Sequence, residues 1–273
     1  VRYTVFGASG FIGGNLVRRL REAGHDVLAA PRDPAEVLDR DLGHVIYAIG
    51  LTADFRSRPF DTMEAHVSLA ANLLRKGRFR SFLYLSSTRV YGNGKETDED
   101  SALSVRPSDA SDLYNLSKLA GEAICLQSGR ENARVARLSN VVGEGEAGSD
   151  TFIGALCREA RGGRIHLQTA LDSRKDYIWI DDAVDILIRI AGEGRHSVYN
   201  VASGEQIAHA RWVEAICART GCALTVAEDA PLATFPPIST RRIRDEFGFS
   251  PADVLGHLPG ILAETGHQAI LDR

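Results

Sequence analysis

The chain has 273 residues, which at roughly 100–200 residues per domain allows one large domain or two small ones. Apolar residues make up 44% and charged residues 25%, an ordinary globular balance that excludes a collagen, a disulfide scaffold and a disordered chain. The net charge of −4 argues against a nucleic-acid or anionic-membrane surface, since such surfaces need a basic excess.

Arg2–Phe6 is short, β-rich and followed by Gly7, so it reads as a first strand. Asn15–Ala23 carries Leu16, Val17, Leu20 and Ala23 at helical spacing and stops at Gly24, a residue suited to closing a helix. His25–Ala30, His44–Ile49, Ser81–Leu85 and Arg134–Leu138 read as further strands. Helix patterns occupy Asp61–Lys76 and Asp112–Ser128, the second with Ser111 or Asp112 as its N-cap. This alternation argues for an α/β fold with a doubly wound parallel sheet. After Asn140 the pieces shorten. A loop is expected over Val142–Ser149, and helices over Thr151–Arg161, Asp182–Ala191 and Ala210–Thr220. Strands are expected over Arg164–Leu167 and Val198–Val201, irregular chain over Leu232–Pro237, and helices over Ser239–Glu246 and Leu255–Thr265. Such pieces cannot hold a core alone, which predicts a lobe packed on the sheet.

Cys125, Cys157, Cys217 and Cys222 make no C-x-x-C pair and have no histidine cluster at zinc spacing, so reduced, mostly buried thiols and no metal are expected. No window approaches 18 uncharged apolar residues, and no signal-type region precedes the first apolar stretch; the expectation is a cytoplasmic protein with no membrane partner.

Gly7-Ala8-Ser9-Gly10-Phe11-Ile12-Gly13 joins the first strand to the first helix. A glycine run there lets the backbone turn sharply and approach a pyrophosphate, with the helix N-terminus facing the anion. The second strand ends Ala29-Ala30-Pro31-Arg32-Asp33, with no acid where a ribose 2′-hydroxyl would be held. Arg32 would pair with a 2′-phosphate, so NADP is favoured over NAD; Asp33 is the residue that would serve NAD. Tyr114 and Lys118 stand at i, i+4 and share a helix face. An ammonium beside a tyrosine lowers its pKa and makes it a usable general acid/base. Leu85-Ser86-Ser87-Thr88-Arg89-Val90-Tyr91-Gly92 follows a strand and offers three hydroxyl side chains, Ser86, Ser87 and Thr88, at its end.

These segments resemble the extended short-chain dehydrogenase/reductases, in their NAD-dependent epimerase/dehydratase branch, over about residues 2–210. The same family is similar at Val45–Leu51, where Ile49 and Gly50 fall on a small-residue pair, and at His66-Val67, where it usually has Asn-Val. Further likeness lies in Arg137–Gly143, Arg174–Asp182 and Val198–Gly204. The resemblance implies a Rossmann-type sheet with residues 1–141 and about 176–202 as the dinucleotide-binding domain. Residues 142–175 and 203–273 would form the small substrate lobe. It implies catalysis by Ser87, Tyr114 and Lys118. Cofactor contacts are implied at Gly7, Ser9, Gly10, Phe11, Ile12, Gly13, Arg32, Ile49, Gly50, Leu51, His66, Leu85, Tyr114, Lys118, Leu138 and Val141. Substrate contacts are implied at Ser87, Thr88, Tyr114, Asn140 and Lys175.

Departures narrow the reaction. The family's dehydratases carry Thr-Asp-Glu where this chain has Ser87-Thr88-Arg89, so no carboxylate pair is available for removing water. What remains is hydride transfer at a secondary alcohol or ketone carbon, expected at C4 of a nucleotide sugar, by an epimerase or a 4-keto reductase. Thr225–Ile238 lacks the arginine that contacts nucleotide phosphates in relatives; Arg241 and Arg242 stand as replacements. An NADPH-dependent reductase of a non-sugar ketone and a non-catalytic dinucleotide-binding regulator are the alternatives. The helices 61–76 and 112–128 resemble those that pair across a homodimer, with Leu69, Leu73, Leu119, Ile124 and Leu126 as apolar surface. Only Pro31–Gly43 separates the second strand from the third. The family fits a strand and a helix there, so the sheet is expected to be shortened at that edge.

Overall fold

A computed structural model describes residues 1–263 apart from Ala53, Asn93, Glu146 and Ala147. Glu146 and Ala147 of the expected loop, and Thr265 at the end of the last expected helix, lie outside the described residues. In chain order the elements are β1 (Arg2–Phe6), α1 (Phe11–Glu22), β2 (Asp26–Ala29), β3 (His44–Tyr47), α2 (Pro59–Met63), α3 (Leu69–Lys76), β4 (Ser81–Ser87) and α4 (Asp112–Gln127). Then come β5 (Ala133–Leu138), β6 (Asn140–Val142), α5 (Phe152–Arg161), β7 (Arg164–Leu167), β8 (Arg174–Trp179), α6 (Ile180–Glu193) and β9 (Val198–Val201). The chain continues through β10 (Gln206–Ala208), α7 (His209–Thr220), β11 (Ala223–Val226), α8 (Arg241–Phe247) and α9 (Leu258–Leu262).

The central sheet runs in the order β2-β1-β3-β4-β5-β9, and every pairing in it is parallel. Its strands are apolar on both sides because helices cover both. On one face Leu16, Val17 and Leu20 of α1 and Ile186, Leu187 and Ile190 of α6 pack on Val5, Ile46, Leu83 and Ala136. On the other, Leu73 and Leu74 of α3 and Cys125 of α4 pack on Phe6, Tyr47, Phe82 and Tyr84. The first of these cores continues into the lobe through Leu156, Ile165, Tyr177, Trp212, Phe247 and Ile261, so the lobe has no separate core. No described helix is long and apolar enough to cross a membrane.

The sheet stops at β2, as the short Pro31–Gly43 connection requires. That connection holds a single 3-10 turn, Pro34–Val37, capped by the Asp33 side chain, which accepts from Ala35 N at 2.9 Å. The first helix starts at Phe11, four residues before the expected Asn15, because Gly10 caps it directly out of the glycine turn. The expected helix 61–76 begins at Pro59 and is interrupted by a π turn over Glu64–Ser68. The carbonyls of Ala65 and His66 in that turn accept from the hydroxyls of Tyr47 (2.6 Å) and Tyr84 (2.9 Å). The side chain of Ser111 does not cap α4; its hydroxyl accepts from Arg56 instead. Leu73 is fully buried in the protomer's own core, so it is not surface apolar area; Leu69, Leu119 and Ile124 are half-buried and Leu126 is exposed. A second sheet, β10-β8-β6, lies beyond the central one, and β7 pairs with β11 in a third. β6, β10 and β11 are strands not expected from the sequence, and β6 takes in Val142, expected as the start of a loop, because Val142 pairs with Trp179 of β8. β8 covers a segment noted above only as a motif.

Candidate active site

The C-terminal ends of β1, β3, β4 and β5 open on a cleft of about 840 Å³, where open parallel sheets receive their ligands. Gly10, Phe11, Ile12 and Gly13 form one wall. The turn beneath them depends on glycine. Gly7 has φ +81°, and a Cβ there would stand 2.7 Å from the Ala48 carbonyl oxygen. A Cβ on Gly13 would stand 2.1 Å from the Gly7 oxygen. The helix that follows has no side-chain cap and no acid in its first turn. Its N–H groups and dipole therefore face the cleft with no acid of the first turn against them, which suits a pyrophosphate. The residues present fit a dinucleotide.

Deeper in, β4 delivers Ser87 and α4 delivers Tyr114 and Lys118 to the same cleft. The Ser87 hydroxyl acts on the Tyr114 phenol beside it and accepts from Arg89 N at 3.2 Å. Lys118 Nζ donates to the Leu85 carbonyl at 2.9 Å and lies 5.9 Å from the centre of the Tyr114 ring. Burial pulls the Lys118 ammonium down to about 7, and Glu122 resists that pull. The expected lowering of Tyr114 is not seen in the protein alone. Burial raises its pKa, and the neighbouring Ser87 hydroxyl and the Arg89 charge only offset part of the rise.

Behind these groups two polar networks hold them in place. His66 is fully buried and accepts from Leu51 N at 3.0 Å through Nε2. Its Nδ1 therefore carries the proton and donates to Ser117 Oγ at 2.7 Å, and Ser117 donates to the Tyr114 carbonyl at 2.8 Å. Burial, and secondarily Lys118, pushes the His66 pKa down to about 3, so the ring stays neutral in this role. The second network is a buried ion pair, Arg137 with Glu122 at 2.7 Å. Ser86 donates to Glu122, and Arg137 donates to the Tyr91 hydroxyl at 2.9 Å. Tyr91 donates to Asn200 at 2.8 Å. Strands β4, β5 and β9 and helix α4 are thus tied together directly under Lys118.

Of the residues expected at the site, Gly10, Phe11, Ile12, Gly13, Ile49, Gly50, Leu85, Ser87, Thr88, Tyr114, Lys118, Leu138, Asn140, Val141 and Lys175 line this one cleft. Gly7, Ser9, Arg32, Leu51 and His66 are not in its lining. Gly7 and His66 act from beneath it, and Leu51 is held by His66. Ser9 and Arg32 are exposed. The Asn140 side chain donates to the Asp176 carbonyl at 2.8 Å, bridging β6 and β8 at the cleft wall. Sequence reading passed over Arg89, Phe152, Asp176 and Phe235, which also line the cleft. Arg89 was legible by its place two residues after Ser87, but only as a missing carboxylate.

Residues 3–202 match the family model described as the NAD dependent epimerase/dehydratase family. A GDP-6-deoxy-D-mannose reductase of Pseudomonas aeruginosa is 29% identical, over 99% of this chain and 96% of its own. A GDP-mannose 3,5-epimerase 1 of Oryza sativa subsp. indica is 23% identical, over 79% of this chain and 68% of its own. Among solved structures, RMD from Pseudomonas aeruginosa complexed with NADPH superposes with a TM-score of 0.81 at 26% identity, covering 97% of this chain and 98% of that one.

Proposed function

The chain belongs to the NAD dependent epimerase/dehydratase family, and from that premise we propose that it transfers hydride at C4 of a nucleotide sugar, as an epimerase or a 4-keto reductase and not as a 4,6-dehydratase. The observation that carries this reading is the convergence of Ser87, Tyr114 and Lys118 beside the glycine turn, with Thr88 and Arg89 where elimination would need carboxylates. A bound nicotinamide dinucleotide supplies or takes the hydride. Tyr114 moves the proton at the sugar oxygen, and Ser87 holds that oxygen by a hydrogen bond. Lys118, already aimed across the Tyr114 ring, favours the phenolate form. The Ser87 and Arg89 contacts act in the same direction.

Two observations favour NADP. Arg32 follows the last residues of β2 as an exposed guanidinium, whereas the Asp33 carboxylate is engaged at Ala35 N. Asp33 is therefore poorly placed to hold a ribose hydroxyl. A homodimer through α2–α3 and α4 is supported by the exposure of Phe60 (88%), Met63 and Leu126.

The test is kinetic. Tyr114→Phe is expected to lower kcat about 10²–10⁴-fold while nicotinamide binding is retained. Intact turnover in that variant would sink the mechanism. Arg32→Ala is expected to lower the ratio of NADPH to NADH affinity about tenfold or more, the size of one lost charge-assisted contact. An unchanged ratio would show that Arg32 does not read the 2′-phosphate.

A further inference from the structure

Arg89 sits in the 3-10 turn Thr88–Tyr91, at the reacting end of the cleft. Its guanidinium lies 5.1 Å from the centre of the Phe55 ring and 5.3 Å from that of Tyr114. One of its N–H groups donates to the Ser111 carbonyl at 3.3 Å. Among the described residues no carboxylate reaches ion-pair distance of it; Asp109 and Asp112 act on it only from farther away. Lys175 of β8 lines the same cleft, its ammonium 5.8 Å from the Phe152 ring centre and 5.6 Å from that of Phe235. It too has no carboxylate partner among the described residues, and the Arg89 charge weighs against its own. Two half-buried cations set to repel each other across a cleft carry a desolvation cost that no ion pair among the described residues offsets. An anionic ligand group would offset it.

The place of Arg89 limits what that group is. In a nucleotide sugar the diphosphate leaves from C1, whereas the carbon worked on by Tyr114 is C4 in the reading above. A guanidinium beside the Tyr114 ring faces what is attached beside the reacting carbon, and the common anion at that place is a carboxylate at C6. A planar guanidinium presents paired donors to such a carboxylate, and the Phe55 and Tyr114 rings, 5.5 Å from each other, both pack against it. We propose that Arg89 is a specificity residue that binds the C6 carboxylate of the substrate, and that the substrate class is a nucleotide-linked hexuronic acid. This rests on the nucleotide-sugar reading of the cleft. Lys175, on the lobe side, is left to the diphosphate.

The experiment is equilibrium titration of the cofactor-loaded protein with two matched pairs, UDP-glucuronate against UDP-glucose and GDP-mannuronate against GDP-mannose. Within each pair the nucleotide and diphosphate are the same and only the charge at C6 differs. The wild type is expected to bind one acid at least tenfold more tightly than its neutral partner. Arg89→Met should bring that ratio near one, Arg89→Lys should keep part of it, and Lys175→Met should weaken acid and neutral sugar alike. Melting temperature and nicotinamide binding of each variant confirm that the fold persists. Equal binding of acid and neutral sugar by the wild type, or equal weakening of both in Arg89→Met, overturns the assignment and leaves Arg89 reading the diphosphate or bracing the ring. Binding of no nucleotide sugar by the wild type fails the underlying reading, and the Arg89 assignment with it.

Discussion

Helix α4 approaches the π turn Glu64–Ser68 with no side chain at Gly121, and Gly121→Ala tests whether that approach positions the site. A methyl group there would stand 2.3 Å from the Tyr84 hydroxyl oxygen and 2.5 Å from the His66 carbonyl oxygen. Helix α4 must then shift, and the 2.9 Å bond from Tyr84 to His66 is lost as well. Overpacking costs about 1–3 kcal/mol, a broken buried hydrogen bond costs about 1–3 kcal/mol, and alanine recovers about 1 kcal/mol of helix propensity. The net loss is about 1–5 kcal/mol, with a midpoint of about 3 kcal/mol. In a chain of this size that lowers Tm by roughly 6–12 °C. Thermal melts and urea midpoints measure it. Tyr84→Phe removes the nearest clashing atom, so the double variant is expected to lose less than the sum of the two single losses. A wild-type Tm in Gly121→Ala, or strict additivity in the double variant, would refute the argument.

Glu122→Gln leaves Arg137 buried without a countercharge and is expected to cost about 3–5 kcal/mol in urea unfolding. A loss below about 1 kcal/mol would mean that the pair is far better solvated than its burial implies. The pH dependence of stability should carry a Lys118 component. Its folded pKa of about 7 is below its ordinary value of 10.5, so between these pH values the unfolded chain holds the extra proton. Stability from this group is full above the unfolded pKa, falls as pH drops between the two values, and is lost below about 7. Unfolding free energy of the wild type minus that of Lys118→Met should therefore rise with pH in this window, by up to about 1.4 kcal/mol per pH unit. A flat difference from pH 7 to 9.5 would show that Lys118 is not titrating as a buried group.

The central sheet was legible because parallel strands covered on both faces must be apolar throughout, and HVIYAI and SFLYL have no other use for that pattern. The Ser87, Tyr114 and Lys118 cluster was legible for a different reason: a strand end and an i, i+4 helix pair translate directly into positions. The second sheet was not legible, because β6 and β10 are three residues long and β8 takes its partners from segments far apart in the chain. The π turn left no trace in the hydrophobic spacing of Asp61–Lys76. Its support comes from Tyr47 and Tyr84 on strands far along the chain, whose hydroxyls read as core tyrosines in the sequence. His66 shows the same limit. Its identity was visible, but that it would hold Leu51 and Ser117 from beneath the cleft depends on burial that no local pattern records.

The loss of an outer strand has a consequence for how the molecule stays apart from its neighbours. With nothing beyond it, β2 is the rim of the central sheet, and a rim strand is a template for pairing with another chain. Here the template is poor. β2 is four residues long, opens on Asp26, which is ion-paired with Arg2 at 2.7 Å, and is followed at once by Ala30 and Pro31. An incoming strand would meet a charge at one end and a residue without an N–H just past the other. The shortened Pro31–Gly43 connection thus both uncovers the sheet's edge and guards it against aggregation.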